Sequence, residues 1–371
     1  MLNMGVVLGL LAMTMDISMP PPRFGPDGGP PTRMLFGWTP GQAQCGGAPV
    51  AHVTLRRPLS ELSWGLPTKA PSVSYRFEID AAGRPLSIVR DGEGFTGFSG
   101  DVAPALAASR FAPGVRQHCR ISFVAKVAPL GEAAVEDLVS YTITPTSGPL
   151  PTEGWDRIKR AGNCVTAPFP QPLLRAFPDF DKVPGTPGVK DWSLVGYATD
   201  RSGAPVAVET LFGTGNKTLD AAARNAVAAS RFTGGARTGC HYPYWKTPET
   251  LAAPPAPAEQ SLRPENSNCP VKSRWSRPLA TRFPEPWRRR AIEGWAIITY
   301  DVAPWGAVGN AKVVAAQPAA DFGHAALTIV QNARTEPSPQ GATGCVETVR
   351  FAMGQRTAPL PVEDPGAVEI F

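Results

Sequence analysis

In two places along the chain apolar residues recur at every second position. Val73, Tyr75, Phe77 and Ile79 form one series, and Ala296, Ile298, Tyr300 and Val302 form the other. This period predicts strands with one face on a core and the other towards water. Each runs into a turn ending in glycine, Asp80-Ala81-Ala82-Gly83 and Ala303-Pro304-Trp305-Gly306, and Asp200-Arg201-Ser202-Gly203 marks a third. Asp accepts local backbone bonds there and Gly tolerates positive φ, so these are hairpin loops. A return strand is expected around Leu86 and Ile88, around Val206 and Val208, and over 308–314. A helix follows, with Asp220 and Asp321 at or near its start, where an acid favours the free N–H groups. Phe322, Ala326, Ile329 and Ala333 then recur at helical spacing. In the first stretch a helix starting near Asp101 must hold Pro104 in its first turn. The helix runs out at Ser109-Arg110-Phe111 and at the identical Ser230-Arg231-Phe232. A last strand holds Ile121 and Phe123, then Tyr242 and Tyr244, then residues 346–351. Pro243 cannot donate to a ladder, which makes that strand an edge or an irregular one.

The cysteines keep step with these elements. Cys45, Cys119, Cys164, Cys240, Cys269 and Cys345, paired in order, are 74, 76 and 76 residues apart. The hairpin glycine follows the first cysteine of each pair by 38, 39 and 37 residues. Arg110, Arg231 and Arg334 follow that glycine by 27, 28 and 28, and the second cysteine comes 9, 9 and 11 residues later. Landmarks in such register predict an internal triplication. The expected fold class is α+β: three tandem modules, each a small antiparallel sheet with one helix on one face. Six cysteines allow fifteen connectivities. The repeat selects Cys45–Cys119, Cys164–Cys240 and Cys269–Cys345.

Composition agrees with short strands and many turns. Charged residues make up only 18%, against 42 Pro and 37 Gly in 371 residues, a length that suits two or three domains. Residues 34–148, 149–258 and 259–356 are the expected modules, with a tail over 357–371. Proline-rich stretches at 144–151 and 252–258 read as extended linkers. Val139, Tyr141 and Ile143 read as an additional strand in the first module. Residues 4–15 are apolar and too short to span about 30 Å of hydrocarbon, but match the core of a signal peptide. Residues 1–20 are therefore expected to be a signal-peptide-like leader, and the mature chain to have no stable membrane span. A basic n-region and an A-x-A cleavage site are missing, and a buried N-terminal helix is the alternative. The net charge of +5 is spread out. Its one dense run, Arg288-Arg289-Arg290, reads as a solvated helix face; without interleaved aromatics it does not suggest nucleic acid.

Catalytic chemistry is not apparent. His118 precedes Cys119 and His241 follows Cys240, but a structural zinc needs about four ligands and each module offers two cysteines and one histidine at most. Gly92, Gly94 and Gly97 have dinucleotide-loop spacing, yet the pattern around them is a hairpin and not a βαβ unit. No cofactor and no metal are expected.

The third stretch reads Phe283-Pro284-Glu285-Pro286-Trp287-Arg288-Arg289-Arg290-Ala291-Ile292-Glu293-Gly294-Trp295, then a strand to Val302, Gly306, Asp321, Ala325-Ala326 and Ala333-Arg334. This resembles the C-terminal domain of the TonB energy-transducer family, with its proline-rich lead-in, glycine before the first strand, strand–turn–strand, Ala-rich helix and closing strand. The first two stretches are similar to it more weakly, through the hairpin glycine, the helix and Ser-Arg-Phe. The resemblance implies a non-enzymatic periplasmic protein of the Gram-negative envelope, engaging an envelope protein or peptide by strand addition. Two alternatives stand beside it. One is an energy transducer to outer-membrane transporters, which requires an anchor and spacer upstream of the assigned start. The other is a scaffold part of an envelope enzyme. In the family the sheet edge near the final strand receives an extended peptide, which here implies Glu347, Thr348 and Arg350 as the partner-binding residues.

Overall fold

The fold is that of a computed structural model, which describes residues 33–65, 71–92, 96–270 and 275–354. The expected leader over 1–20, the tail over 357–371 and Gly94 lie outside the described residues. The order strand, return strand, helix, closing strand holds in all three cysteine-bounded segments. It runs Ser72–Ile79, Pro85–Asp91, Val102–Ala107 and Arg116–Pro129 in the first segment. In the second it runs Asp191–Thr199, Pro205–Gly213, Lys217–Ala229 and Arg237–Lys246. In the third it runs Gly294–Val302, Val308–Gln317, Ala320–Gln331 and Ala342–Phe351. Each first strand pairs antiparallel with both its return strand and its closing strand.

The hairpin glycines explain the spacing from glycine to arginine. Gly83, Gly203 and Gly306 have φ of 81, 80 and 84°. Their carbonyls accept the amides of Phe111, Phe232 and Thr335, the residues just after Arg110, Arg231 and Arg334. A Cβ on these glycines would stand 2.2, 1.8 and 2.2 Å from the carbonyl oxygens of the same three residues. The return strand and helix must therefore bring the chain back against the turn, whatever their local sequence. Where the helix ends, Ser109 Oγ donates to Ala105 O and accepts Arg56 N, while Ser230 Oγ donates to Ala226 O and accepts Ala176 N. Arg110 and Arg231 then donate to the last helical carbonyls. Disulfides Cys45–Cys119, Cys164–Cys240 and Cys269–Cys345 tie each lead-in to its closing strand.

The first and third segments share one core. Phe77, Phe111 and Phe123 from the first join Trp287, Phe322 and Phe351 from the third in a single buried cluster. Their return strands meet at one end: Ile88 N donates to Pro318 O at 2.9 Å, and Ser87 and Gln317 exchange two bonds of 2.8 Å. The second segment has its own smaller core around Val195, Ala223, Val227 and Tyr244.

Several sequence expectations are corrected by this packing. Val139, Tyr141 and Ile143 lie on a helix, Val135–Ile143, not on a strand. That helix is wedged between Leu35 and Leu62 on one side and Ile158 and Trp192 on the other. Its buried positions are Leu138, Val139, Tyr141 and Ile143, and the last three happen to fall two residues apart, which mimics a strand. The stretches read as linkers are docked. Leu150 is buried, and Tyr141 Oη donates to Gly148 O at 2.5 Å. Leu251 N donates to Ala291 O, and Ala253 and Ala256 pack on Trp295. The third first strand is consequently buried on both faces.

The basic run is a solvated helix face only in part: Arg288 is exposed and Arg289 half-buried, but Arg290 is buried. Arg288 and Arg289 sit on the short helix Glu285–Arg289 and reach Glu285 at 2.7 and 3.8 Å. Arg290, which follows it, is only 5% exposed. Its Nε and Nη2 donate to the two carboxylate oxygens of Asp101 at 2.7 and 2.5 Å. Nη2 also reaches Arg57 O at 3.0 Å, and Nη1 reaches Gly188 O at 3.3 Å. Asp101 in turn accepts Leu59 N at 2.6 Å. One guanidinium from the third segment thus holds backbone and side chain of the first and backbone of the second.

Removing one partner of a buried pair strands the other, so Asp101→Ala or Arg290→Met is expected to cost about 3–5 kcal/mol. In a double-mutant cycle read by denaturant unfolding, the double variant should lose clearly less than the sum of the two. Each disulfide closes a loop of about 75 residues, for which the chain-entropy relation gives about 4–5 kcal/mol. Cys-to-Ala replacement of one pair should lower stability by up to that amount, and non-reducing peptide mapping should recover no bridge between segments.

Candidate functional site

The candidate site is the outer edge of the closing strands, because in a three-stranded sheet these strands have a neighbour on one side only. In the third segment, Cys345, Val349 and Phe351 point to the main core and Val346 to the opposite face, with Trp295 and Ile297. By the same alternation Glu347 lies on the helix side, where its Oε2 accepts Trp275 Nε1 at 3.2 Å. Thr348 and Arg350 lie on the other face, and Arg350 is exposed. The three residues expected to touch a partner therefore share a strand but not a face.

The edge carries a neighbour of its own. Residues 253–262 run across the outer face of this sheet, with Ala253, Ala256 and Leu262 against Trp295, Ile297 and Val346. Trp295 Nε1 donates to Pro254 O at 2.7 Å. The short 3₁₀ turn Glu259–Leu262 reaches the edge itself, where Glu259 Oε1 accepts Thr348 N at 3.0 Å. Nearer the disulfide, Asn268 Oδ1 accepts Thr343 N and Ser267 Oγ donates to Gly344 O. The sequence signal for this strap was its proline content, which reads equally well as a free spacer.

Ser122, Pro243 and Thr348 each stand three residues after the second cysteine of their segment, and each edge is treated differently there. In the first segment the strand Arg33–Pro40 pairs antiparallel with the closing strand, from Pro40 opposite Phe123 to Met34 opposite Pro129. Gly41 N donates to Ser122 O at 2.7 Å, and Gln44 and Cys45 continue the pairing to Cys119. An eight-residue extended segment thus occupies the edge in cis. In the second segment Pro243 sits on the edge strand opposite Leu194 and offers no N–H there. The third segment has the Glu259 carboxylate instead of a strand.

Neither histidine beside a cysteine has a thiolate for company. The sulfurs of Cys119 and Cys240 are bonded to Cys45 and Cys164. His118 is exposed, and His241 is half-buried, its pKa lowered by burial and by Arg160. Gly92 and Gly97 follow the return strand of an antiparallel hairpin, and the helix after them spans only Val102–Ala107. No helix among the described residues is long and apolar enough to cross a membrane.

No curated protein matches the chain. Residues 280–353 match the family model of the Gram-negative bacterial TonB protein C-terminal. The match takes in Trp287, Arg290, the central strand Gly294–Val302, its hairpin, the helix Ala320–Gln331 and the closing strand through Phe351. The third segment, with its candidate edge, is thus similar to the C-terminal domain of Gram-negative bacterial TonB proteins.

Proposed function

We propose that this chain is a non-enzymatic periplasmic binding or adaptor protein built of three tandem modules of the TonB C-terminal kind. Its third module engages an extended segment of an envelope protein by strand addition. The observation that carries this reading is the pairing of Arg33–Pro40 with the first closing strand. The same type of edge, in the same chain, already accepts an extended antiparallel segment. Common element order, the shared glycine contact and the matching disulfides support the kinship of the modules. The family match over 280–353 supports an envelope partner.

In this reading Thr348 is the central donor and Glu259 the group that an incoming strand displaces. Arg350 lies exposed on the same face as Thr348, and Glu347 on the other. The second module, with Pro243 on its edge, is the poorest acceptor.

Thr348→Pro removes one donor, whose bond to the Glu259 carboxylate is worth about 1.5–3 kcal/mol, so the fold should survive. Capture of envelope peptides, read by photo-crosslinking from position 350, should fall sharply in that variant. Glu259→Ala should raise it by roughly tenfold or more, since the amide no longer has to leave a carboxylate. Unchanged capture by a folded Thr348→Pro protein rules the edge out.

A further inference from the structure

Where the three segments meet, a cavity of about 270 Å³ opens between them. Five cations line it: Arg56, Arg57, Lys190, Arg289 and Arg290. Among the described residues only two carboxylates do, Glu136 and Asp137. Leu59 and Val189 give the same walls an apolar component.

The nearby carboxylates are already committed. Arg57 pairs with Asp137 at 3.3 Å and Glu136 at 4.0 Å, and Lys126 also reaches Asp137, at 3.9 Å. Asp101 is taken by Arg290 and Leu59 N. Asp191 accepts from Thr186 N, Thr214 Oγ1 and Asn216 Nδ2. Of the cations, Arg289 has a loose contact with Glu285 at 3.8 Å, and Lys190 Nζ donates to Ile143 O at 2.7 Å. The guanidinium of Arg56 makes no hydrogen bond or ion pair with any described residue, and its Nε is buried without a partner. Burial lowers the pKa of Arg56, opposed by the field of Asp191 and reinforced by Arg290; burial lowers that of Lys190 as well.

A half-buried cation whose Nε has no partner is less favourable than a paired one, and an anion from outside relieves that cost. We propose that this cavity is a binding site for a small oxyanion, a carboxylate or phosphate, seated on the guanidinium of Arg56 with Lys190 as the second cation. The planar fork of a guanidinium matches both groups and holds them through two parallel bonds. The volume is several times the roughly 30 Å³ share of a water molecule, so an anion with a short organic body fits. The same carboxylate chemistry comes from a free small acid or from the C-terminus of a peptide. Because the walls come from all three segments, ligand binding also stiffens their arrangement. The site is independent of the strand edge on the third segment.

The test uses the full disulfide-bonded chain at constant ionic strength, with chloride as the balancing ion. Thermal unfolding is followed against inorganic phosphate, succinate, and a short peptide as the free acid and as its amide. A saturable rise in the unfolding midpoint is expected with at least one oxyanion. A response to the peptide acid but not its amide identifies a chain terminus as the source, and a response to phosphate or succinate alone identifies a free anion. Arg56→Met should melt at or above the wild type without ligand, because its unpaired charge is gone. It should also weaken the anion response by roughly tenfold or more, the loss of a charge-assisted hydrogen bond. Lys190→Met should weaken it less, and it keeps the question open to measurement if Arg56→Met does not fold. No saturable response to any of the oxyanions, or an undiminished response in both variants, overturns the proposal.

Discussion

The arrangement of the three segments depends on one buried ion pair. Arg290 and Asp101 lie 189 residues apart, and almost all of both side chains is hidden from solvent. Two desolvated charges are a poor source of net stability, but they are demanding in geometry. The guanidinium is satisfied only when Asp101, Arg57 O and Gly188 O stand around it together. Asp101 is satisfied only when Leu59 N is also in place. The pair therefore acts as a registration point: any other docking of the segments leaves a charge buried alone. Around it the first and third segments merge into one core, while the second keeps its own.

The sheet edges follow from that arrangement. Small antiparallel sheets carry exposed ladders of N–H and C=O groups that invite association. Here the first closing strand is covered by Arg33–Pro40, the second carries Pro243, and the third has its central amide held by Glu259. A side-chain carboxylate is a weaker cover than a paired strand, since it satisfies one donor and leaves no strand to be displaced. The proposed partner edge is thus the one whose central donor is held by a side chain and not by another strand. The strap over 253–262 matters here because it fixes Glu259 beside Thr348 and hides the outer face of the sheet.

Much of each segment was legible in the sequence. Alternation located two of the three first strands, and the glycines marked turns whose φ only glycine adopts easily. Cysteine spacing reflected a real constraint, because return strand and helix must return the chain to the hairpin glycine before the closing strand begins. The failures came where neighbours changed the environment. Residues 139, 141 and 143 read as a strand, but they belong to a helix that packs on residues of both the first and the second segment. Residues 252–258 have the composition of a spacer and behave as a packed strap. Glu347, Thr348 and Arg350 follow from the family resemblance of the closing strand, and strand geometry divides them between two faces.

What the sequence by itself determined is what depends on short range and on covalent register: strand periodicity, turn chemistry, the helix before each closing strand, and the separation of the cysteines. These are legible because each rests on the stereochemistry of a few adjacent residues or on the length of chain needed to close a unit. The tertiary structure alone decided the burial of Arg290, the merging of two cores, the helical state of residues 135–143, the strap at the edge and the cationic cavity. Each of these brings together residues far apart in the chain, and the free energy of a charge or an apolar face is set by what surrounds it. The last arginine of a run of three has the same local sequence whether water or a buried carboxylate awaits it.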